Sequence, residues 1–442
     1  MSIFIVLVLL SAFCWAPSPA MRSSTLHLAR SHSFSPDAGA PITTWAASLA
    51  AQSAADAARI ATLVASSGGS TKKGHHRSFV PIAPGRQILS IPNYVARARL
   101  GTPPQTLVVA IDPSNDAAWV PCTGCASASS SPPFAPTRSS TYRPVRCGSP
   151  QCAQVPNPSC PRGAATSCAF NLTYASSAFE ALLGQDTLAL ENDAVASYTF
   201  GCLHVVTGVP PQGLVGFGRG ALSFPSQTKD MYGSVFSYCL PSYRSSNFSG
   251  TLRLGPIGQP KRIKTTPLLS NPHRPSLYYV NMTGIRVGGK PVPVPASALA
   301  SFDPASGRGG TIVDAGTMFT RLSAPAYAAV RDAFRRRVRA PAVAPLGGFD
   351  TCYNATAVSS VPVTVPSVAF TFEGAVTVTM PEENVVIRSS SGGVACLAMA
   401  AAPADGVDAA LNVVASVQQQ NHRVLFDVAN GRVGFARELC TA

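Results

Sequence analysis

From Ile91 onward the chain alternates short apolar runs with clusters of turn-forming residues. Leu107 to Ile111 (Leu-Val-Val-Ala-Ile) is one such run, and Thr311 to Val313 is another. Gly, Pro, Asn, Asp and Ser separate them. Runs this short, punctuated this often, predict an all-β protein with many turns. Three segments break the rule. Ala324–Arg339 carries its apolar residues at helical spacing and is predicted as a helix. Ile42–Ser66 is Ala-rich and amphipathic. Ile3–Trp15 is almost wholly apolar, about as long as the core of a signal peptide and short for a membrane span.

That first segment sets the compartment. Ser18 and Ala20 are the small residues expected before a cut after Ala20, so residues 1–20 are predicted to be a signal peptide. No later stretch is long enough to span a bilayer, and a soluble, secreted product is expected. The apoplast is the default destination, with vacuole or plastid as alternatives. Composition then shifts at Phe79. Residues 21–78 hold the amphipathic stretch, a Ser-Gly-Gly-Ser segment and a basic run (Lys72, Lys73, His75, His76 and Arg77). They read as a propeptide joined by an exposed processing loop. Residues 79–262 and 263–442 are the expected N- and C-terminal lobes.

Across the 442 residues, hydrophobic content is 46% and charged content 12%, which supports a large core. The net charge of +14 is concentrated partly on Arg331, Arg335, Arg336, Arg337 and Arg339. In a secretory chain this reads as a solvated helix face, and no nucleic-acid partner is expected. Twelve cysteines are present, and Cys14 departs with the signal. The remaining eleven predict disulfides in an oxidising lumen, with one unpaired thiol or an intermolecular bridge. Cys122 and Cys125 stand at CxxC spacing, but no second CxxC or His pair accompanies them at zinc spacing, so no metal site is predicted. Sequons at Asn171, Asn247, Asn281 and Asn354 are candidate glycosylation sites.

The candidate chemistry lies in a duplication. The run ending at Asp112 enters Pro113, Ser114 and Asn115; the run ending at Asp314 enters Ala315, Gly316 and Thr317. Each half also has a later apolar pair closed by a small residue, Gly213–Gly216 and Asn412–Ala415. Two strand–Asp–turn units, each crossed by a second apolar strand, predict two related β lobes facing a common cleft. Two carboxylates held close share a proton. The ionised group can then act as base on a water while the protonated one polarises a carbonyl.

The stretches "NYVARARLGTPPQTLVVAIDPSNDAAWVPC", "LTYASSAFEALLGQDTLAL", "QGLVGFG", "GGTIVDAGTMFTRL" and "VLFDVANGRVGFA" occur in this order. Together they resemble the pepsin-type aspartic proteases, specifically the plant nepenthesin-like group with atypical catalytic motifs, over nearly all of Ile91–Cys440. The resemblance implies a bilobal fold of two β-barrel-like lobes, Asp112 and Asp314 as the dyad, and Asn115, Gly316 and Thr317 as supporting residues. It implies Tyr174 as the flap tyrosine over the substrate. It also implies disulfides Cys352–Cys396 and Cys202–Cys440, with the orphan cysteine in the first lobe.

The implied activity is a secreted endopeptidase, monomeric and without cofactor, cleaving polypeptides at acidic pH. Departures from the family pattern leave an alternative open. Pro113 and Ala315 both lack the hydroxyl that normally ties the two turns, and the flap tip lacks its glycines. A binding or inhibitor protein of the xylanase-inhibitor type is that alternative.

Overall fold

A computed structural model describes residues 76–123, 132–160, 167–174, 177–207, 213–356, 364–389, 391–404 and 408–440. The predicted signal peptide and most of the predicted propeptide, including Ile42–Ser66, lie outside the described residues.

In the first lobe, β-rich sequence closes on itself. Tyr94–Leu100 pairs antiparallel with Gln105–Asp112, which runs parallel to Gly213–Gly216. Gly213–Gly216 meets Trp119–Pro121, and that strand runs parallel to Asp193–Thr207. Asp193–Thr207 forms a long hairpin with Ser177–Leu190, whose end returns to Tyr94–Leu100 through Leu188 and Leu100. The result is a closed six-stranded ring. Closure removes the exposed strand edges that an open sheet would leave. Outside the ring, Ala169–Tyr174 pairs with Ser177–Leu190 to form the flap hairpin.

The second lobe repeats the centre of the first. Thr311–Val313 runs parallel to Asn412–Val414, which meets Thr320–Leu322 antiparallel. Thr320–Leu322 in turn runs parallel to Met399–Ala401. In each lobe, therefore, the strand that ends in aspartate and the strand that leaves its turn are separated by a third strand threaded between them.

A continuous sheet joins the lobes. Its order runs from Lys264–Pro267 through Arg432–Arg437, His422–Asp427, Val235–Cys239 and Gly250–Leu254 to Ser78–Pro84, which pairs with Tyr94–Leu100. Over it lies an aromatic cluster. Phe426 stacks on Phe236 at 4.8 Å between ring centroids, and Tyr278 meets Phe426 edge-on at 4.4 Å. Such pairs contribute about 0.5–1.5 kcal/mol each beyond the area they bury.

The predicted helix is shorter than the pattern suggested. It spans Ala324–Arg335, buries Tyr327, Val330 and Phe334, and is capped at Arg336. Arg337 folds back so that its guanidinium donates to the Ala333 carbonyl at 2.8 Å. A cation there satisfies an orphan carbonyl and complements the helix dipole. Pro341 follows, and the chain leaves the helix before it. The basic face is partly paired: Arg331 and Arg335 both engage Asp350.

Among the described residues five disulfides form: Cys122–Cys202, Cys147–Cys160, Cys152–Cys168, Cys239–Cys440 and Cys352–Cys396. Cys352–Cys396 is the expected pair. The expected Cys202–Cys440 pair is wrong. Strand Trp119–Pro121 lies in parallel register with Gly201–Leu203, which sets Cys122 beside Cys202 at a Cα separation of 5.4 Å. Cys440 follows the last strand of the joining sheet and meets Cys239, also at 5.4 Å. Strand register decided both partners. Cys122 is thereby removed from any CxxC chemistry, and Cys125 lies outside the described residues.

Candidate active site

Strand Gln105–Asp112 delivers Asp112 at its end. Pro113 holds the preceding residue in extended geometry, which a strand end already satisfies. The Asp112 carbonyl accepts from the Phe217 N–H at 2.7 Å, so the crossing strand Gly213–Gly216 locks the turn from below. Glycine is required at this crossing. A Cβ on Gly216 would lie 2.4 Å from the Asn115 carbonyl oxygen and 2.6 Å from that of Ala117.

Within the first turn, the Asp112 carboxyl collects three donors. The Ser114 N–H and Ser114 Oγ each lie 3.0 Å from Oδ1, and Asn115 Nδ2 donates to Oδ2 at 2.9 Å. Ser114 is not among the residues with positive φ, so its side chain is accommodated without backbone strain. In the second turn, Gly316 N–H donates to Asp314 Oδ1 at 2.9 Å. Thr317 donates to Oδ2 through its N–H at 2.9 Å and its Oγ1 at 2.6 Å. Both aspartates are buried.

The turns meet through one atom. Ser114 Oγ lies 2.9 Å from Asp314 Oδ1 as well as 3.0 Å from Asp112 Oδ1. The two carboxyl groups, 202 positions apart in sequence, thus flank a single hydroxyl. This link ties the turns across the cleft where Pro113 and Ala315 have no hydroxyl to do so.

A second layer supports each carboxyl. Behind Asp314, Gln419 Nε2 donates to the Asp314 carbonyl at 3.1 Å and the Val414 carbonyl at 2.7 Å, and Tyr238 donates its hydroxyl to Gln419 Oε1. Burial, and secondarily the Asp314 charge, push the Tyr238 phenol well above its ordinary range, so it stays protonated as a donor. Beside Asp112, the Asp116 carboxyl is enclosed between the Gly218–Gly220 backbone and the second lobe. It accepts from the Gly220 N–H at 2.6 Å and from Ser276 Oγ. Desolvation raises its pKa above the ordinary carboxylate value, against the opposing pull of those bonds and of Arg219.

Of the residues singled out from sequence, Asp112, Asn115, Asp314, Gly316 and Thr317 are brought together here. Tyr174 ends the first flap strand, opposite Ser177, but its side chain lies outside the described residues. Asn171, Asn247 and Asn354 are exposed, whereas Asn281 is half-buried and donates to Glu373 at 3.0 Å. Ser114 Oγ and Asp116 were not anticipated as site residues. A hydroxyl two positions after a strand-end aspartate was the available signal for the first. Nothing in the sequence marked the second, because its partners lie 104 and 160 residues away.

Two facing lobes with a crossed strand–Asp–turn in each, and the two carboxyls flanking one point, define the pepsin-type class. The comparisons agree. The family description "Xylanase inhibitor N-terminal" matches residues 94–256, and "Xylanase inhibitor C-terminal" matches residues 277–437. The chain is 48% identical over 380 residues to Aspartyl protease 25 of Oryza sativa subsp. japonica, covering 82% of this chain and 85% of that protein. It is 46% identical over 368 residues to Aspartyl protease AED3 of Arabidopsis thaliana, covering 82% and 80%. It is also 33% identical over 358 residues to aspartic proteinase nepenthesin-2 of Nepenthes gracilis, covering 79% and 78%. Among solved structures, that of edgp superposes with a TM-score of 0.68 at 23% identity, covering 84% of this chain and 97% of that one, a likeness of fold. The chain belongs to the plant pepsin-type aspartic protease family.

Proposed function

We propose that this protein is a secreted endopeptidase that hydrolyses peptide bonds at acidic pH through Asp112 and Asp314. The observation that carries the proposal is the convergence of the two carboxyls from equivalent turns of the two lobes. With one proton between them, the ionised carboxyl draws a proton from water as the oxygen attacks the peptide carbonyl. The protonated carboxyl donates to the carbonyl oxygen and later helps protonate the leaving nitrogen. Such a pair titrates as a unit. Asn115 and Thr317 hold the outer oxygens, and the Ser114 and Gly316 N–H groups hold the inner ones, so neither carboxyl has to reorganise during the reaction. The flap hairpin ending at Tyr174 would cover the bound chain.

The test is incubation of the purified mature protein with an unfolded protein substrate across acidic pH. Asp112→Asn and Asp314→Asn should each abolish cleavage while leaving the fold intact, because each removes half of one acid–base unit. Near-wild-type cleavage by either variant rules out the dyad. A second reading, a binding or inhibitor protein without proteolysis, is favoured by one observation: Ser114 Oγ stands between the carboxyls where a water would bind. Intact substrate at every pH with wild-type protein supports that reading.

A further inference from the structure

We propose that Ser114 is a positioning residue of the dyad, a built-in occupant of the water site that bridges the two carboxyls at rest and withdraws when water is activated. The proposal rests on the endopeptidase reading above and deepens it.

Geometry comes first. A water that is deprotonated by one carboxyl and oriented by the other must bridge Asp112 Oδ1 and Asp314 Oδ1. Ser114 Oγ already does so, at 3.0 and 2.9 Å. Two oxygens cannot share that point, since hydrogen-bonded oxygens stay about 2.5–3.0 Å apart. Occupancy by the hydroxyl and by water therefore exclude each other. Ser114 can yield without moving the turn. Its N–H still holds Asp112 Oδ1, its backbone is outside the left-handed region, and rotation about χ1 alone takes Oγ to another staggered well.

Proton count comes second. A water has two protons and can donate to both carboxylates at once. A hydroxyl has one. With the dyad singly protonated, the chain is complete: the protonated carboxyl donates to Ser114 Oγ, and Ser114 donates to the carboxylate opposite. With the dyad fully ionised, one carboxylate faces an Oγ lone pair instead. The hydroxyl bridge is thus complete with one proton between the carboxyls and one donor short when both are ionised. Among the described residues, titratable groups facing the pair include Asp116, with Arg219 beside it, next to Asp112, and Tyr238 behind Asp314. The test leaves all three unchanged.

The experiment compares wild type with Ser114→Gly and Ser114→Ala, as mature full-length enzymes. kcat and KM on an unfolded protein substrate are measured against pH, and the affinity for a statine-type inhibitor, whose hydroxyl seeks the same point, is measured by calorimetry. Both variants should raise kcat about tenfold, the value of one hydrogen bond to a charged group, with little change in KM. The inhibitor should bind about tenfold more tightly to both. A structural filler would not move the inhibitor affinity. Unchanged or lower kcat with unchanged inhibitor affinity overturns the proposal. If wild type and variants cleave nothing yet bind inhibitor more tightly once Ser114 is replaced, the occupancy stands and the endopeptidase reading falls. If nothing cleaves and affinity is unchanged, both fall.

Discussion

Arg423 should be the costliest single charge to remove from the sheet that joins the lobes. It is fully buried in strand His422–Asp427, yet all five of its N–H groups have acceptors. Nε donates to Glu438 Oε2 at 3.0 Å and Nη2 to Glu438 Oε1 at 2.5 Å; Nη2 also reaches Thr251 Oγ1 at 2.7 Å. Nη1 donates to the Thr251 carbonyl at 3.2 Å and to Ser237 Oγ at 3.4 Å. One guanidinium therefore stitches three strands and the C-terminal segment. Arg423→Met strips donors from Thr251 and from a half-buried Glu438 that keeps only Arg253, a loss of about 3 kcal/mol. Glu438→Gln keeps an acceptor but removes the charge, a loss of about 2–3 kcal/mol. Urea unfolding followed by intrinsic fluorescence, at a pH above 5, reads both.

The same pair sets part of the acid limit. Burial opposes ionisation of Glu438, but its bonds to Arg423 and the charges of Arg423 and Arg253 outweigh this and hold its pKa below the ordinary 4.5. Its stabilisation is therefore complete above about 4.5 and is lost as pH falls through the depressed folded value. Glu438→Gln should flatten the fall in stability on that side. A loss under about 1 kcal/mol in Arg423→Met, below the value of hydrogen bonds to a charged group, would refute the reasoning. So would an acid slope unchanged in Glu438→Gln.

Three further outcomes are expected. Asp116 is shifted the other way, so its contribution is present in acid and is lost as pH rises through its raised pKa; Asp116→Asn should flatten the decline in melting temperature as pH rises above the ordinary carboxylate value of 3.8, and an unchanged decline would remove Asp116 from the pH response. With ten cysteines paired and Cys14 in the predicted leader, thiol labelling of denatured, unreduced mature protein should mark Cys125 alone, and label on any of the ten would contradict the pairing. N-terminal sequencing of mature protein should find a start between Ser67 and Ser78, because Ser78–Pro84 is a paired strand of the joining sheet; a start after Pro84 would contradict that role.

What the sequence determined by itself was local and periodic. Short apolar runs bounded by Gly and Pro can bury one face only as strands, so the β class was legible. Each aspartate was legible too, because a carboxylate ending an apolar run is costly unless it is used. Helix Ala324–Arg335 showed its buried stripe, though not its end, which a back-folded Arg337 side chain settles. Tertiary structure decided what depends on register between distant strands. Cys202 had no local preference for Cys122 over Cys440; the parallel pairing of Trp119–Pro121 with Gly201–Leu203 made the choice. Asp116 gained its role only when Gly220 and Ser276 closed around it. Ser114 reads in sequence only as a residue of the turn after Asp112. Its hydroxyl became part of the site when the second lobe brought Asp314 within 2.9 Å, a distance no pattern along the chain encodes because it is set by the packing of two lobes.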